Sequence, residues 1–122
     1  MVGAAAVAEP VPSNVLSSMF RTAMAHYFKT LSYQVVADGV TANVVSPTAV
    51  LTERTRQTAE TLGAKKGLTL EQELARREDA TLARRFGTPE EFGALTTFLC
   101  AGTAGYLSGG NWRIDGGGAA GL

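Results

Sequence analysis

The stretch Asp38-Gly39-Val40-Thr41-Ala42-Asn43-Val44-Val45-Ser46-Pro47-Thr48-Ala49-Val50-Leu51-Thr52 constrains the fold more than any other part of the chain. Gly39 can take the left-handed conformation that ends a helix, so a helix is expected to stop at Asp38-Gly39. Val40, Val44 and Val45 favour a strand buried on both faces, as in a parallel sheet covered by helices. Pro47 has no N–H to give to a central ladder and is expected to turn the chain out of the sheet. The polar loop that follows stands at the strand's carboxyl end, where open α/β sheets take their ligands.

At 122 residues the chain is sized for one domain with its own core, and residues 1–122 are read as a single unit. Eleven basic and eleven acidic side chains balance, which gives no ground for a nucleic-acid or anionic-membrane surface. No apolar run approaches the roughly 20 residues of a membrane span. Met1 to Ala8 is small and apolar without a basic leading segment, a pattern that argues against a signal peptide. Cys100 is the sole cysteine, so no internal disulfide forms, and a reducing cytoplasm is the expected compartment.

Along the chain, Val2 to Ala8 reads as a short small-residue strand or the remnant of one, and Glu9-Pro10-Val11-Pro12 breaks regular structure. Ser13 is placed to cap a long helix over roughly Asn14 to Ala37. Leu16, Phe20, Ala23, Tyr27, Leu31 and Val35 recur at helical spacing and predict its buried stripe. Val15, Met19, Met24 and Phe28 widen that stripe, which leaves two readings open: a core helix, or a core helix that also contacts another subunit. Glu53 to Leu62 predicts a short helix ending at Gly63. Thr69 and Gln72 match a capping box that opens a helix through about Ala83. Its Glu73 and Arg77 stand in the favourable order at four-residue spacing, and the charges here read as a solvated face.

Thr88, Pro89 and Glu91 give the clearest helix start in the chain: a cap, a proline at the first helical position and a capping box. Phe92, Leu95, Phe98 and Leu99 form the expected buried face, with Cys100 beside it as a small hydrophobe and Gly102 as the stop. Neither Cys100 nor the sole histidine, His26, has metal-ligand partners in the sequence, and no metal is expected. Tyr106-Leu107-Ser108-Gly109-Gly110 leads to a last strand over Asn111 to Asp115. Strand, helix, strand, helical excursion, helix and strand together predict an α/β sandwich with right-handed parallel crossovers.

Asp38-Gly39-Val40-Thr41-Ala42-Asn43, Ser46-Pro47 through Thr52, Arg85-Phe86-Gly87-Thr88-Pro89-Glu90-Glu91, and Tyr106 to Gly110 with Asp115-Gly116-Gly117 carry a resemblance. In this order they resemble the C-terminal half of a short-chain dehydrogenase/reductase. The resemblance implies a partial Rossmann-like fold of about three parallel strands with flanking helices. It also implies NAD(P) as cofactor and oxidoreduction of a carbonyl or alcohol, of 3-oxoacyl type in many relatives. The cofactor-binding positions it carries over are Pro47, Thr48, Val50 and Thr52, whose backbone and hydroxyl groups in the family meet the nicotinamide carboxamide. Thr48 stands where glycine is commoner. The other reading of this loop is a strand-to-helix connection capped by Thr52.

The departures are specific. No Gly-x-x-x-Gly-x-Gly dinucleotide loop occurs, and the family's N-terminal half has no counterpart in this sequence. The family's Tyr-x-x-x-Lys is missing, since Tyr27, Tyr33 and Tyr106 are followed four positions later by Leu31, Ala37 and Gly110. Aligned backward from Gly39 and Asn43, the tyrosine position falls on Ser17, the lysine position on Arg21, and the upstream serine near Ala4. Some atypical relatives show a similar Pro-x-Pro and Leu-Ser-x-x-x-Arg arrangement, which leaves two readings of Ser17 and Arg21, inherited site residues or decay of the site, and makes them the catalytic candidates. An aliphatic hydroxyl is a far weaker acid than a phenol, and a guanidinium does not relay protons at neutral pH. An isolated chain without turnover is therefore expected. A homo-oligomer or a companion subunit is the expected partner, with a small-molecule substrate if the chain is active. The alternative is a non-catalytic oligomerising module derived from the family.

Overall fold

The computed structural model describes residues 1–4, 7 and 14–119. Helix α1 (Val15–Val35) continues as a short 3-10 turn, Val36–Asp38, and leads to strand β1 (Val44–Pro47). Helices α2 (Glu53–Ala64) and α3 (Leu70–Asp79) form the excursion that follows and pack on each other. Helix α4 (Pro89–Cys100), a 3-10 turn at Gly102–Ala104 and strand β2 (Asn111–Ile114) complete the order. The strands β1 and β2 pair in parallel, Val44 opposite Asn111 and Pro47 opposite Ile114. On the other side of β1, Val2 makes a parallel bridge to Val45, with Gly3 N donating to Val45 O at 2.7 Å and Val45 N to Met1 O at 2.9 Å. The fold is α/β with parallel strands, and β1 runs through its centre.

Local chemistry explains most boundaries. Gly39 has φ +76°, and the N–H groups of Gly39 and Val40 satisfy the carbonyls of Val36 and Val35, which stops the helical run where a left-handed residue is available. Thr69 with Gln72, and Thr88 with Glu91, make reciprocal capping boxes. Val44 and Val45 are buried with Ala42, Ala59, Phe86, Leu99 and Ala104. Gly3 packs so closely on β1 that a Cβ there would lie 2.5 Å from Ser46 Oγ and 2.7 Å from Val44 Cγ1.

Several expectations are corrected. Val40 lies outside the strand and is 54% exposed, because residues 40–43 form an extended lead held by Val35 O and the Leu107–Gly110 loop. Helix α3 ends at Asp79, four residues short of Ala83, where Thr81 turns back on Glu78 O and Arg84 takes φ +54°. Leu16, Phe20, Ala23 and Tyr27 face outward, so the predicted buried stripe of α1 is buried only toward its C-terminal end, at half-buried Leu31 and Val35. Phe98 and Cys100 are exposed, since α4 turns Leu99 inward instead. Glu73, read as part of a solvated face, is fully buried. The Ser13 cap and the Glu9–Pro12 break fall outside the described residues, as does most of the Val2–Ala8 strand beyond Ala4. No helix among the described residues is long and apolar enough to cross a membrane.

Candidate functional site

The candidate residues fall into two groups, one on α1 and one on the loop after β1. Arg21 Nε donates to Ser17 Oγ at 3.2 Å, one helical turn away, while Arg21 Nη1 donates to Gly3 O at 2.8 Å and Val2 O at 3.2 Å. The four-residue spacing that resembled a catalytic pair thus becomes a physical contact, and it is anchored on the backbone beside β1. Ser17 acts as acceptor in this pair, and Arg21 is a fixed cation that ties α1 to the edge segment.

The second group is the loop after β1. Thr48 N donates to Ile114 O at 2.9 Å, and Val50 forms a parallel bridge with Gly87 through Leu51 N to Gly87 O at 2.9 Å and Gly87 N to Ala49 O at 3.0 Å. The loop is therefore clamped between β2 and the segment entering α4. Its left-handed residue is Ala49, at φ +50°, and not Thr48. Thr52 caps α2, accepting from Thr55 N at 3.2 Å, so its hydroxyl carries the structural role foreseen for it. Thr55 Oγ1 in turn donates to Val50 O at 2.8 Å.

Thr48 Oγ1 is buried and has no hydrogen-bond partner among the described residues. A buried hydroxyl without a partner costs free energy that a ligand group can recover. A hydroxyl both donates and accepts, which suits the amide end of a nicotinamide. The loop therefore fits one end of the dinucleotide. No glycine-rich turn of the dinucleotide type occurs in the sequence to cradle the diphosphate. Thr48 also borders a cavity of about 250 Å³ that reaches Arg85, Glu91 and Arg113.

Arg85 was legible as part of a motif but not as a structural device. It donates to both carboxylate oxygens of Glu91, at 2.8 and 2.6 Å, and to Phe86 O at 3.0 Å. Glu91 also accepts from Thr88 N at 2.8 Å, so Arg85 and the helix cap together hold its carboxyl down to about 2. The arginine thereby locks the start of α4 to the strand-like segment that pins the candidate cofactor loop. Ser46 and Asn43 entered the sequence reading only as motif residues and Glu73 only as a helix-face charge, so their structural bonds were not foreseen. Ser46 is fully buried and donates to Asn111 Oδ1 at 2.7 Å.

A parallel α/β sheet with a helical excursion after its central strand defines a Rossmann-like architecture. The chain belongs to the short-chain dehydrogenase/reductase family: a family model described as Enoyl-(Acyl carrier protein) reductase matches residues 2–119. It is 35% identical over 94 residues to D-beta-hydroxybutyrate dehydrogenase of Cupriavidus necator, covering 75% of this chain and 36% of that protein. It is 32% identical over 95 residues to the short-chain reductase protein NovJ of Streptomyces niveus, covering 78% and 35%. Among solved structures, L-sorbose reductase from Gluconobacter frateurii, complexed with NADPH and L-sorbose, superposes with a TM-score of 0.92 at 26% identity. That match covers 99% of this chain and 46% of the reductase. The chain thus spans less than half the length of each of these proteins. The family's chemistry is NAD(P)-linked oxidoreduction.

Proposed function

We propose that the parent chemistry of this chain is NAD(P)-dependent oxidoreduction of a carbonyl or alcohol, 3-oxoacyl compounds being one substrate class. In this reading residues 1–122 are one domain equivalent to the C-terminal half of the family fold, and the chain alone does not turn over. The observation that carries it is the Arg21–Ser17 contact, anchored on Val2 and Gly3 carbonyls beside the central strand. Thr48, with the backbone of Pro47 and Val50, would hold the amide end of a nicotinamide, which when bound would supply or accept the hydride, and Thr52 stabilises the helix that closes the loop. Ser17 hydrogen-bonds a substrate oxygen, and Arg21 holds Ser17 and contributes fixed positive charge. Neither side chain exchanges a proton readily at neutral pH, which is the chemical reason for expecting no turnover.

Calorimetric titration of the 122-residue chain with NADH and NADPH tests the cofactor half, with dissociation constants expected on the order of millimolar or weaker. Assays with 3-oxoacyl and simple ketone substrates should show no cofactor oxidation. Micromolar affinity, or turnover abolished by Arg21→Ala, would overturn this reading. A second reading, a non-catalytic oligomerising module, draws support from the outward-facing apolar stripe of α1. Both readings place the chain in the cytoplasm, in line with its single cysteine.

A further inference from the structure

Three cations converge on the buried Glu73 carboxylate. Arg76 binds it bidentately, Nε to Oε2 at 2.9 Å and Nη2 to Oε1 at 2.8 Å. Arg77 Nε reaches Oε1 at 3.0 Å, and Lys66 Nζ lies 3.2 and 3.3 Å from the two oxygens. Gly63 makes room for this arrangement, since a Cβ there would sit 3.1 Å from Glu73 Cβ. The bidentate arginine neutralises the carboxylate and fills two of its roughly four acceptor sites. Arg77 and Lys66 donate to the rest, but they bring charge in excess of one carboxylate, and each adds like-charge repulsion and loses side-chain freedom.

The excess charge faces a cavity of about 430 Å³, within the range of small-molecule sites. Among the described residues Glu73 is the only acid that lines it, so three cations against one carboxylate leave a surplus of two positive charges. Arg77 spends only Nε on Glu73, and its two terminal nitrogens have no protein partner among the described residues. Val50, Leu62 and Phe86 supply an apolar wall, and Ala49 and Val50 join the cavity to the candidate cofactor loop. A lone structural ion pair has no need of free guanidinium donors beside an apolar wall.

We infer that Lys66, Arg76 and Arg77 form a binding site for a small molecule bearing an oxyanion group, a phosphate monoester or a carboxylate, with Glu73 buried beneath to hold the cations in place. The anion relieves the repulsion among the cations, and the apolar wall takes the carbon skeleton attached to it. The charged part of the site uses none of Ser17, Arg21 or Thr48, while its apolar wall shares Val50 with the candidate cofactor loop.

The test is a titration of the 122-residue chain with inorganic phosphate and, separately, with succinate, against sodium chloride of matched ionic strength, followed by amide chemical shifts. Saturable shifts over residues 63–68 and 73–77 are expected with at least one of the two, and the tighter of them identifies the anion class. Arg77→Gln should weaken binding by about tenfold or more, the worth of one charge-assisted hydrogen bond. Arg54→Gln, an exposed cation on α2, should leave the titration unchanged. Should Arg77→Gln fail to fold, Lys66→Gln, at a more exposed side chain, carries the same expectation. Shifts that merely track chloride, or that survive both Arg77→Gln and Lys66→Gln, would overturn the inference, as would an equal effect of Arg54→Gln.

Discussion

The Asn43 side chain joins two segments 69 residues apart: its Oδ1 accepts from Trp112 Nε1 at 3.0 Å, and from Gly110 N at 3.1 Å. Its Nδ2 donates to Leu107 O at 2.6 Å. Ser108 Oγ accepts from Ala42 N at 3.2 Å, and Gly109 N donates to Ala42 O at 2.8 Å, so two sequence motifs dock as one polar seam before β1 and β2 begin. The seam fixes the register of the parallel pair. Asn43→Ala leaves two donors and one carbonyl without partners in a partly buried place. The expected loss is roughly 2 to 3 kcal/mol of folding stability. Urea unfolding followed by the fluorescence of Trp112, the sole tryptophan, measures it; an unchanged midpoint would show the seam to be incidental.

Ala49 holds φ +50° in the loop between Thr48 and Val50. A left-handed L-residue costs on the order of 1 kcal/mol, while a glycine adds a comparable freedom to the unfolded chain. Ala49→Gly is therefore expected to be nearly neutral. Ala49→Val places a β-branched side chain where such residues are true outliers, and about 1 to 3 kcal/mol should be lost. Paired thermal melts of the two variants decide the matter. Equal stability of Val and Gly at this position would mean the loop relaxes away from the left-handed geometry.

The elements that could be read in advance are those fixed by neighbours in sequence. Thr88, Pro89 and Glu91 specify a helix start within four residues, and Gly39 specifies a stop, so both were legible. Ser17 and Arg21 were singled out by the family resemblance and not by local chemistry, and neither their contact nor its anchor on Val2 and Gly3 was legible. Glu73 shows the opposite case. Its four-residue spacing to Arg77 is the usual pattern of a solvated pair, and burial is decided by Gly63, which lets α2 and α3 close over it. Lys66, seven residues earlier, was the remaining clue: basic residues at −7, +3 and +4 around one acid. The α1 stripe failed differently. Periodicity identifies an apolar face but not what covers it, and the described sheet covers only the C-terminal part of that face.

Glu91 sets a defined acid response. Arg85 and the Thr88 backbone N–H hold its carboxyl at about 2, against 4.5 for an ordinary glutamate. Between those values the unfolded chain binds a proton that the folded chain refuses, so stability falls as pH drops through this window. The contribution is fully present above pH 4.5. Glu73, held below the usual carboxylate range by Arg76 first and Arg77 next, adds a loss in the same direction. Glu91→Gln should therefore shallow the acid limb of the stability profile without flattening it. Denaturant midpoints of both proteins over the acid range provide the comparison. Parallel acid limbs would show that the Arg85–Glu91 pair contributes no linkage.

Helix α1 presents Leu16, Phe20 and Tyr27, which are 68%, 63% and 58% exposed, on one stripe that includes Ala23. Val15 and Met19 extend the apolar area beside it. A contiguous apolar helix face of this kind lowers its free energy by pairing, and a two-fold contact lets each copy present the same stripe to the other. We therefore expect a homodimer through α1. Because Phe20 contributes little to the core, Phe20→Asp should leave the helical circular dichroism intact while placing two like charges near the two-fold axis. Light scattering at micromolar concentration should then report a dimer for the unaltered chain and a monomer for the variant. A monomeric unaltered chain, or a dimer indifferent to Phe20→Asp, would remove α1 as the interface and with it the main support for the oligomerising-module reading.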